Sequence, residues 1–275
     1  MPELPEVETI VRGLAPFLPG KTVRRVDIRH AKVAAGHGVQ MFQNLLTGQT
    51  FTGVERRGKF LYFHFSSGYS LVVHLRMTGK FIIHTDGPIP EHKHIRLVFL
   101  FTDRTALLYS DLRIFGSFHV YRPEEYIPEF DCLGRDPVNE SIPADWFTAQ
   151  CLTRSIPVKV LLLDQSVLCG IGNIYACEAL FRAKIDPRLP ARRLTVRQAA
   201  QLLKEIRTVL KLAIRHNGTS VSDFRDVDDK TGGFQKMLKV YGREGLSCPR
   251  CRRATIRRIK QAQRSTFYCP KCQSS

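Results

Sequence analysis

The sequence is short of acidic residues relative to basic ones, and it lacks any long uninterrupted apolar run. Its 275 residues include 42 Lys and Arg but only 25 Asp and Glu, so the net charge is +17. This imbalance favours a polyanionic partner, and nucleic acid is a better candidate than a membrane surface. No apolar segment approaches the length of a membrane span, and the amino terminus lacks the layout of a signal peptide. We therefore expect no membrane association.

A disulfide scaffold is a second feature that the sequence lacks. Four of its eight cysteines are scattered singly, mostly among apolar neighbours, and are expected to be reduced core residues. They are Cys132, Cys151, Cys169 and Cys177. This cysteine usage is typical of a reducing cytoplasm. Internal repeats and low-complexity tracts are absent as well. The length of the chain exceeds that of one typical domain and therefore predicts two or three compact modules.

Hydrophobic periodicity divides the chain into parts of different structure. Residues 7–14 have the apolar spacing of an amphipathic helix. Residues 21–121 contain alternating or short apolar runs between turn residues, which predicts an antiparallel β-sandwich or barrel-like module. After a Pro-, Asp- and Glu-rich connection at residues 126–143, helical periodicity dominates to about residue 216. Together these changes predict an α+β multidomain protein with domains at 1–130, 131–236 and 237–275.

The first residues, Met1-Pro2-Glu3-Leu4-Pro5-Glu6, combine a terminal imino acid with two carboxylates. Initiator methionine is usually removed before a residue as small as proline, which leaves the Pro2 nitrogen as a free secondary amine. An α-amino group titrates near ~8, so more of it is neutral at pH 7 than of a lysine side chain. A neutral amine can form a Schiff base with an electrophilic carbon. Glu3 or Glu6 could act beside it as general acid or base.

The same acids also permit a purely structural interpretation. Pro5 suits the first turn of a helix, and Glu6 and Glu8 suit the positive end of the helix dipole. Acidic residues are common in first helical turns. The catalytic interpretation of the N-terminal segment therefore depends on the rest of the chain.

Two C-x-x-C pairs lie near the C-terminus, Cys248 with Cys251 and Cys269 with Cys272, and 17 residues separate them. This spacing predicts four thiolates around one zinc ion on a β-hairpin. No open coordination position is implied, so the zinc is expected to be structural and to stabilise a segment too short to fold alone. Residues 237–275 also carry ten Lys and Arg against a single Glu. This charge density on a zinc hairpin favours contact with phosphates.

Four motifs follow one another along the chain: Pro2-Glu3-Leu4-Pro5-Glu6, Arg57-Gly58-Lys59, Gly170-Ile171-Gly172-Asn173-Ile174-Tyr175 and the paired cysteines. In this order they resemble the formamidopyrimidine-DNA glycosylases, bacterial enzymes that repair oxidised purines. The resemblance covers essentially the whole chain. It implies an N-terminal catalytic β-sandwich with a terminal helix, a helix–two-turns–helix domain with a lesion-capping loop, and a C-terminal zinc finger hairpin. DNA would bind in the cleft between them.

The resemblance assigns catalytic roles to the N-terminal segment and to one lysine. It implies that Pro2 attacks C1′ of the damaged nucleotide and that Glu3 is its acid–base partner. Glu6 would support the segment through hydrogen bonds. Lys59, at the tip of a predicted hairpin, matches the lysine that contacts the phosphate of the lesion and assists the chemistry. Without the family, Lys59 would be interpreted as a solvated turn lysine.

Other positions match residues of the family that contact the DNA backbone. Asn173 matches the asparagine of the helix–turn motif, and a helix start flanked by Gly170 and Gly172 is itself suited to bind an anion. The further matching positions are His92, Tyr241 and Arg264. The resemblance also implies a catalytic role for Arg264, which lies on the zinc hairpin. The alternative to phosphate contact by His92 is that this residue simply belongs to a polar turn beside a strand.

An enzyme that acts on one base must extrude it from the duplex, and side chains must then fill the void. Met77, Arg113 and Phe115 match the void-filling residues of the family: two apolar wedges and a cation that can hydrogen-bond the unpaired cytosine. Without the family, Met77 and Phe115 would be interpreted as core residues. Residues 219–233 correspond to the lesion-capping loop. Thr78 departs from the family, because many members have a glutamate there near the lesion pocket, and the lesion preference is therefore left open.

The resemblance implies base-excision repair of oxidised purines, namely 8-oxoguanine and formamidopyrimidines, through a Schiff base at Pro2 and strand cleavage by β,δ-elimination. It predicts one structural Zn²⁺ and double-stranded DNA with oxidised bases or abasic sites as the partner. It also predicts a monomer in the bacterial cytoplasm that associates with the nucleoid when it acts. Two alternatives are kept. One is an enzyme like endonuclease VIII, which prefers oxidised pyrimidines, and the other is a non-catalytic, zinc-dependent DNA-binding protein.

Overall fold

The computed structural model describes residues 1–34, 36–220, 225–228 and 230–273. Two units divide the chain. The N-terminal unit comprises Met1–Asp131 and His216–Gly233, and the C-terminal unit comprises Cys132–Arg215 and Phe234–Ser275. The predicted fold class is confirmed, because antiparallel sheets, a helical region and a C-terminal hairpin follow one another in this order. The three domain boundaries stay a prediction; the N-terminal unit includes the segment His216–Gly233, which the predicted boundaries place in the second domain.

Eight strands of the N-terminal unit form two four-stranded antiparallel sheets. In chain order the strands are β1 Val23–Ile28, β2 Phe51–Arg57, β3 Phe60–Phe65, β4 Ser70–His74, β5 Lys80–His84, β6 Ile95–Phe101, β7 Ala106–Ser110 and β8 Ser117–Tyr121. The sheet orders are β1-β6-β7-β5 and β2-β3-β4-β8. Aromatic rings fill the space between the sheets. The ring of Phe51 lies 6.0 Å from that of Phe99, and the ring of Phe63 lies 5.7 Å from that of Phe81.

Helix α1 (Leu4–Leu14) packs against this core. Val7, Ile10 and Leu14 recur at helical spacing, and each is fully buried in the core cluster. A 3₁₀ turn at Ala31–Ala34 and helix α2 (Val39–Leu46) interrupt the predicted run of strands. The sequence analysis did not predict α2, which buries only one face, through Phe42 and Leu46.

The C-terminal unit begins with helices. After α3 (Pro128–Asp131), which belongs to the N-terminal unit, come α4 Ala144–Leu152, α5 Val158–Leu163, α6 Asn173–Ala183 and α7 Val196–Arg215, with 3₁₀ turns at Ala191–Arg193 and Phe234–Met237. Thr195 caps α7: the Gln198 N–H donates to its Oγ1 at 3.2 Å, and its own N–H donates to Gln198 Oε1 at 2.9 Å. Among the described residues, no helix is long and apolar enough to cross a bilayer.

The hairpin of β9 (Arg257–Gln261) and β10 (Arg264–Tyr268) lies between the two cysteine pairs. Ala262 and Gln263 form its turn with φ of +44° and +60°, the backbone of a tight hairpin turn. Its base shares a buried cluster with α6 that contains Cys177, Phe181 and Phe267. Of the four scattered cysteines, three are buried as predicted, whereas Cys132 is exposed.

Candidate functional site

Pro2, Glu3 and Glu6 lie together at the start of α1, and all three are buried. Only 3% of Glu3 and 1% of Glu6 are exposed. The Glu3 N–H donates to Glu6 Oε2 at 2.8 Å, and the Glu6 N–H bonds the Glu3 side chain in return, which forms a capping box. The two acids therefore satisfy the helix N-terminus and also hold each other beside Pro2. The structural and catalytic interpretations are compatible.

The other oxygen of Glu6 is bound by the segment that follows α7. The Thr219 N–H donates to Glu6 Oε1 at 2.7 Å. Gly218 has φ of +73°, and a Cβ there would lie 2.9 Å from the same oxygen. Thr219 pairs with Gly233 in an isolated bridge, so both ends of the predicted lesion-capping loop meet beside Glu6. Residues 221–224 and 229 of this loop lie outside the described residues.

Lys59 stands in the tight turn between β2 and β3, as predicted. Arg56, at the end of β2, is buried and connects this turn to α1. Its Nε donates to Glu8 Oε2 at 2.9 Å, and its Nη1 donates to the Gly58 carbonyl at 3.1 Å. Because only 1% of the Arg56 side chain is exposed, this charge-assisted contact is shielded from solvent. The Lys59 turn and the N-terminal helix are thereby held together, through an arginine that the sequence did not single out.

His74, at the end of β4, is a buried neutral histidine near Lys59. Burial, followed by the charges of Arg76 and Lys59, lowers its pKa to about 3. Its Nδ1 accepts the Arg76 N–H at 2.9 Å, and its ring packs edge-on against Phe60 at 4.7 Å. The neutral imidazole thus fixes the start of the loop that carries Met77 without adding charge beside Lys59.

The void-filling residues predicted from the sequence come together in the N-terminal unit. Met77 follows β4 and Phe115 precedes β8, and they are 40% and 48% exposed. The Arg113 guanidinium lies 4.7 Å from the centre of the Phe115 ring, and its Nη1 lies 2.9 Å from Met77 Sδ. The alternative of core residues is wrong, because these apolar side chains are exposed on loops.

Asp111 organises one of these loops, and the sequence analysis missed it. It is fully buried. Its carboxylate accepts the Tyr109 hydroxyl at 3.0 Å, the Arg113 N–H at 3.1 Å and the N–H groups of Phe115 and Gly116 at 2.9 Å each. Its position two residues before Arg113 was the available signal, since Asp often bonds backbone N–H groups a few residues onward.

His92 is exposed and borders a cavity of about 500 Å³ in the N-terminal unit. The rings of His92 and His94 lie 5.1 Å apart, and the His94 N–H donates to His92 Nδ1 at 3.2 Å. Thr78 and Arg225 also line the cavity, and Arg225 comes from the segment after α7. The lining combines these polar groups with apolar side chains such as Ile82 and Leu108, and Thr78 follows Met77 directly in the chain.

Asn173, Tyr241 and Arg264 all belong to the C-terminal unit. Asn173 begins α6, and its Nδ2 donates to the Ser265 carbonyl at 2.8 Å. Its Oδ1 accepts from the fully buried Lys159 at 2.6 Å. Ser265 is the neighbour of exposed Arg264 on β10, so Asn173 connects the start of α6 to the zinc hairpin. Such a helix start presents N–H groups that suit an anion.

Glu178, one turn further along α6, holds the segment that carries Tyr241. Its buried carboxylate accepts the N–H groups of Lys239, Val240 and Tyr241 at 2.9 to 3.0 Å. Burial raises the pKa of Glu178, and these donors act in the opposite direction. The Tyr241 ring packs against Phe267 of the hairpin at 5.0 Å. Tyr241 is therefore positioned by a residue that the sequence analysis did not identify.

The four paired cysteines fit a zinc ion. Their Sγ atoms all lie within 4.8 Å of one another. The distance is 3.8 Å for Cys248 to Cys272 and 3.8 Å for Cys251 to Cys269. Tetrahedral zinc with Zn–S bonds of about 2.3 Å places its ligands roughly 3.8 Å apart. The predicted cofactor, one structural Zn²⁺ held by four thiolates, is confirmed by this geometry together with the family match that follows.

Three family descriptions match the chain. The formamidopyrimidine-DNA glycosylase N-terminal domain matches residues 1–118, and the formamidopyrimidine-DNA glycosylase H2TH domain matches residues 133–225. The zinc finger found in FPG and IleRS matches residues 245–274. Together the matches cover most of the chain in the order that the sequence predicted.

Relatives and solved structures agree with these matches. The formamidopyrimidine-DNA glycosylase of Desulforamulus reducens is 40% identical over all of both chains. A Lactococcus lactis Fpg mutant bound to DNA that contains Fapy-dG is 34% identical, has a TM-score of 0.93 and covers 100% of both chains. Lactococcus lactis Fpg bound to DNA with an abasic site is 33% identical, with a TM-score of 0.92, and covers 99% of this chain and 100% of the other. The chain therefore belongs to the formamidopyrimidine-DNA glycosylase family and is a zinc-finger DNA-repair enzyme with glycosylase and abasic-site lyase activities.

Proposed function

We propose that this enzyme removes oxidised purines, namely 8-oxoguanine and formamidopyrimidines, from duplex DNA and cleaves the strand by β,δ-elimination. One observation carries the proposal: Pro2 is buried beside two carboxylates that a capping box and the Thr219 N–H hold in place. The binding of Fapy-dG DNA and abasic-site DNA by the Lactococcus lactis relatives supports the substrate class.

In the proposed mechanism, removal of Met1 frees the Pro2 nitrogen as the nucleophile. Its lone pair attacks C1′ of the damaged nucleotide, the bond from C1′ to the base breaks, and the base leaves with a proton. Glu3 moves protons as the sugar ring opens and an iminium forms between Pro2 and C1′. The iminium acidifies the proton on C2′, so elimination first breaks the bond to the 3′ phosphate. A second elimination breaks the bond to the 5′ phosphate.

The other residues support this chemistry in the proposal. Glu6 fixes the N-terminal segment, and Lys59 contacts the phosphate of the lesion. Met77, Arg113 and Phe115 fill the void left by the extruded base, because two apolar faces can stack and a guanidinium can pair with the unpaired cytosine. The exposed positions of all three side chains suit insertion into a duplex.

Backbone contacts to DNA are assigned to both units. His92, Asn173, Tyr241 and Arg264 bind phosphates, and Arg264 also assists at the reacting centre. The zinc ion has no part in the reaction, since four thiolates leave no open position; when bound, it stabilises the hairpin that carries Arg264. We also propose that the enzyme acts as a monomer in the cytoplasm, at the nucleoid, and that its domains are the three predicted from the sequence.

Borohydride trapping tests the proposed function. We expect covalent capture on duplex DNA with 8-oxoguanine opposite cytosine, and none on undamaged DNA of the same sequence. A variant that keeps a residue before Pro2 should not be trapped through Pro2, because the Pro2 nitrogen is then part of an amide bond and cannot act as a nucleophile. Trapping of that variant in normal yield would make a lysine the nucleophile. Absence of trapping by the wild type would favour a non-catalytic DNA-binding protein, and better capture on oxidised pyrimidines would favour an enzyme like endonuclease VIII.

A further inference from the structure

One pair, half-buried Thr78 and fully buried Asp111, joins the two loops that carry the void-filling side chains. The Thr78 hydroxyl donates to Asp111 Oδ1, although the two residues lie 33 positions apart. Thr78 follows Met77 directly, and Asp111 precedes Arg113 by two residues. The Arg113 N–H donates to Thr78 Oγ1 and to Asp111 Oδ1, at 3.1 Å in each case. A single hydroxyl therefore connects the loop of Met77 to the backbone of Arg113.

The two oxygens of Asp111 hold different parts of this arrangement. Oδ1 accepts from Thr78 and Arg113, whereas Oδ2 accepts the Phe115 and Gly116 N–H groups at 2.9 Å each. Oδ2 also accepts the Tyr109 hydroxyl, at 3.0 Å. Only an ionised carboxylate can accept from all these donors. Burial opposes ionisation, yet the hydrogen bonds from Thr78, Gly116, Tyr109 and Arg113 hold the pKa of Asp111 below its usual range.

Each of the two loops contains a residue with a strained backbone conformation, which the surrounding hydrogen bonds must hold in place. Arg76 has φ of +55° and Ile114 has φ of +56°, so a non-glycine residue adopts the left-handed conformation directly beside Met77 and directly beside Arg113. Residues in this region cost free energy and persist only where surrounding bonds impose them. They flank the void-filling side chains on each loop.

Two glycines allow the loops to converge on Tyr109. A Cβ at Gly79 would lie 2.5 Å from the Tyr109 hydroxyl oxygen, and a Cβ at Gly116 would lie 1.7 Å from it. Neither distance is compatible with a side chain. The Tyr109 hydroxyl therefore lies between the two loops and donates to Asp111, which makes the convergence a built feature of the N-terminal unit.

We propose that Thr78 and Asp111 are positioning residues that assemble Met77, Arg113 and Phe115 into one wedge before DNA binds. A wedge that is already ordered does not lose conformational freedom on insertion, so capture of the lesion in a duplex is tighter. Because Thr78 holds the Arg113 backbone, it also sets how strongly the enzyme prefers cytosine opposite the lesion. This inference rests on the proposed function.

Kinetics of Thr78→Val and Thr78→Ser test the proposal, since valine keeps the shape and serine keeps the hydroxyl. Three substrates are used: 8-oxoguanine opposite cytosine, 8-oxoguanine opposite adenine, and a single-stranded oligonucleotide with a preformed abasic site. For Thr78→Val we expect kcat/KM on the cytosine duplex to fall about tenfold relative to single-strand cleavage, as expected from loss of a hydrogen bond to a charged group. The loss should lie mainly in KM, and the preference for cytosine over adenine should shrink.

Thr78→Ser should restore kcat/KM on the cytosine duplex and the preference for cytosine over adenine. If only the volume of the side chain mattered, the smaller serine would not restore them. The double variant Asp111→Asn/Thr78→Val should lose less kcat/KM than the product of the two single losses. The reason is that both substitutions remove the same Thr78–Asp111 hydrogen bond. Equal losses on duplex and single strand, or a serine variant as impaired as the valine variant, would overturn the proposal. If the wild type itself fails to be trapped by borohydride, the proposed function has failed; if it is trapped and Thr78→Val matches it, only this inference has failed.

Discussion

Glu6 accepts the Thr219 N–H at 2.7 Å, although the two residues lie 213 positions apart in sequence. The same carboxylate accepts the Glu3 N–H at 2.8 Å. One buried side chain therefore fixes the segment that supplies the proposed nucleophile and also one end of the predicted lesion-capping loop. In this arrangement, the position of the loop and the position of Pro2 depend on the same acceptor.

Glu6→Gln should disturb both positions. Glutamine offers one acceptor oxygen and one amide donor, so one of the two N–H groups would face a donor instead of an acceptor. We expect the free energy of unfolding to fall by about 1–3 kcal/mol, measured in urea, and base release to slow in single-turnover assays. The control is Glu55→Gln, since 73% of the Glu55 side chain is exposed. An unchanged unfolding curve together with unchanged base release would show that Glu6 does not have this role.

His74 should make the stability of the N-terminal unit depend on pH. Its folded pKa of about 3 lies below the ordinary value of 6.5, so between these values the unfolded chain binds a proton that the folded chain does not. The free energy of unfolding should fall as pH decreases through this window, by up to about 1.4 kcal/mol per pH unit. His74→Asn, which can still accept the Arg76 N–H, should reduce the difference between pH 7 and pH 5.

Urea unfolding at the two pH values provides the measurement. His216→Asn is the matched control, because the His216 side chain is exposed and its replacement should leave the pH dependence unchanged. If His74→Asn and the wild type lose the same stability between pH 7 and pH 5, the neutral state of His74 does not contribute.

The sequence predicted those parts of the structure that depend on residues close to one another along the chain. Helix α1, the hairpin with Lys59 and the cysteine pairs follow from local spacing, and the family resemblance supplied the roles. Thr78 and Glu178 were left without a role or missed, because only the fold brings their partners close. Asp111 was missed although most of its donors lie within five residues of it. Helix α2 was missed because the strand pattern around it is stronger than the spacing of Phe42 and Leu46. No periodicity in a sequence records a contact such as that of Glu6 with Thr219.

Cys248→Ser should lose the zinc ion and most of the affinity for DNA. The buried cluster of the hairpin is small and contains the cysteines Cys248 and Cys269 themselves, so loss of a ligand should unfold the hairpin and displace Arg264. Zinc content by atomic absorption and affinity for an abasic-site duplex are the measurements. Cys132→Ser, at an exposed cysteine outside the cluster, should retain both. Full zinc content with normal affinity in Cys248→Ser would contradict the ligand assignment.

Met77→Ala should impair excision of 8-oxoguanine from a duplex more than cleavage at a preformed abasic site in single-stranded DNA. The apolar wedge is needed to occupy the space of the extruded base, and a single strand has no such space. We expect a difference of about tenfold or more between the two losses, which corresponds to ~1.4 kcal/mol. Met41→Ala is the control, because Met41 is a similarly exposed methionine on α2. Equal losses on both substrates would indicate a packing role for Met77.

Glu3→Gln should separate base release from strand cleavage. The proposed role of Glu3 is to move protons while the base departs and the sugar ring opens, a contribution that typically amounts to ~10²–10⁴ in rate. An abasic site has no base to expel, so cleavage at a preformed abasic site should be affected far less than excision of 8-oxoguanine. Glutamine can still accept the Glu6 N–H of the capping box, so helix α1 should stay intact, and circular dichroism checks this. The ratio of the two rates, measured in single-turnover assays, is the decisive quantity. If both rates fall by the same factor while Tm is unchanged, Glu3 acts on a step that the two substrates share, such as formation of the iminium at Pro2, and its assignment to base release is wrong.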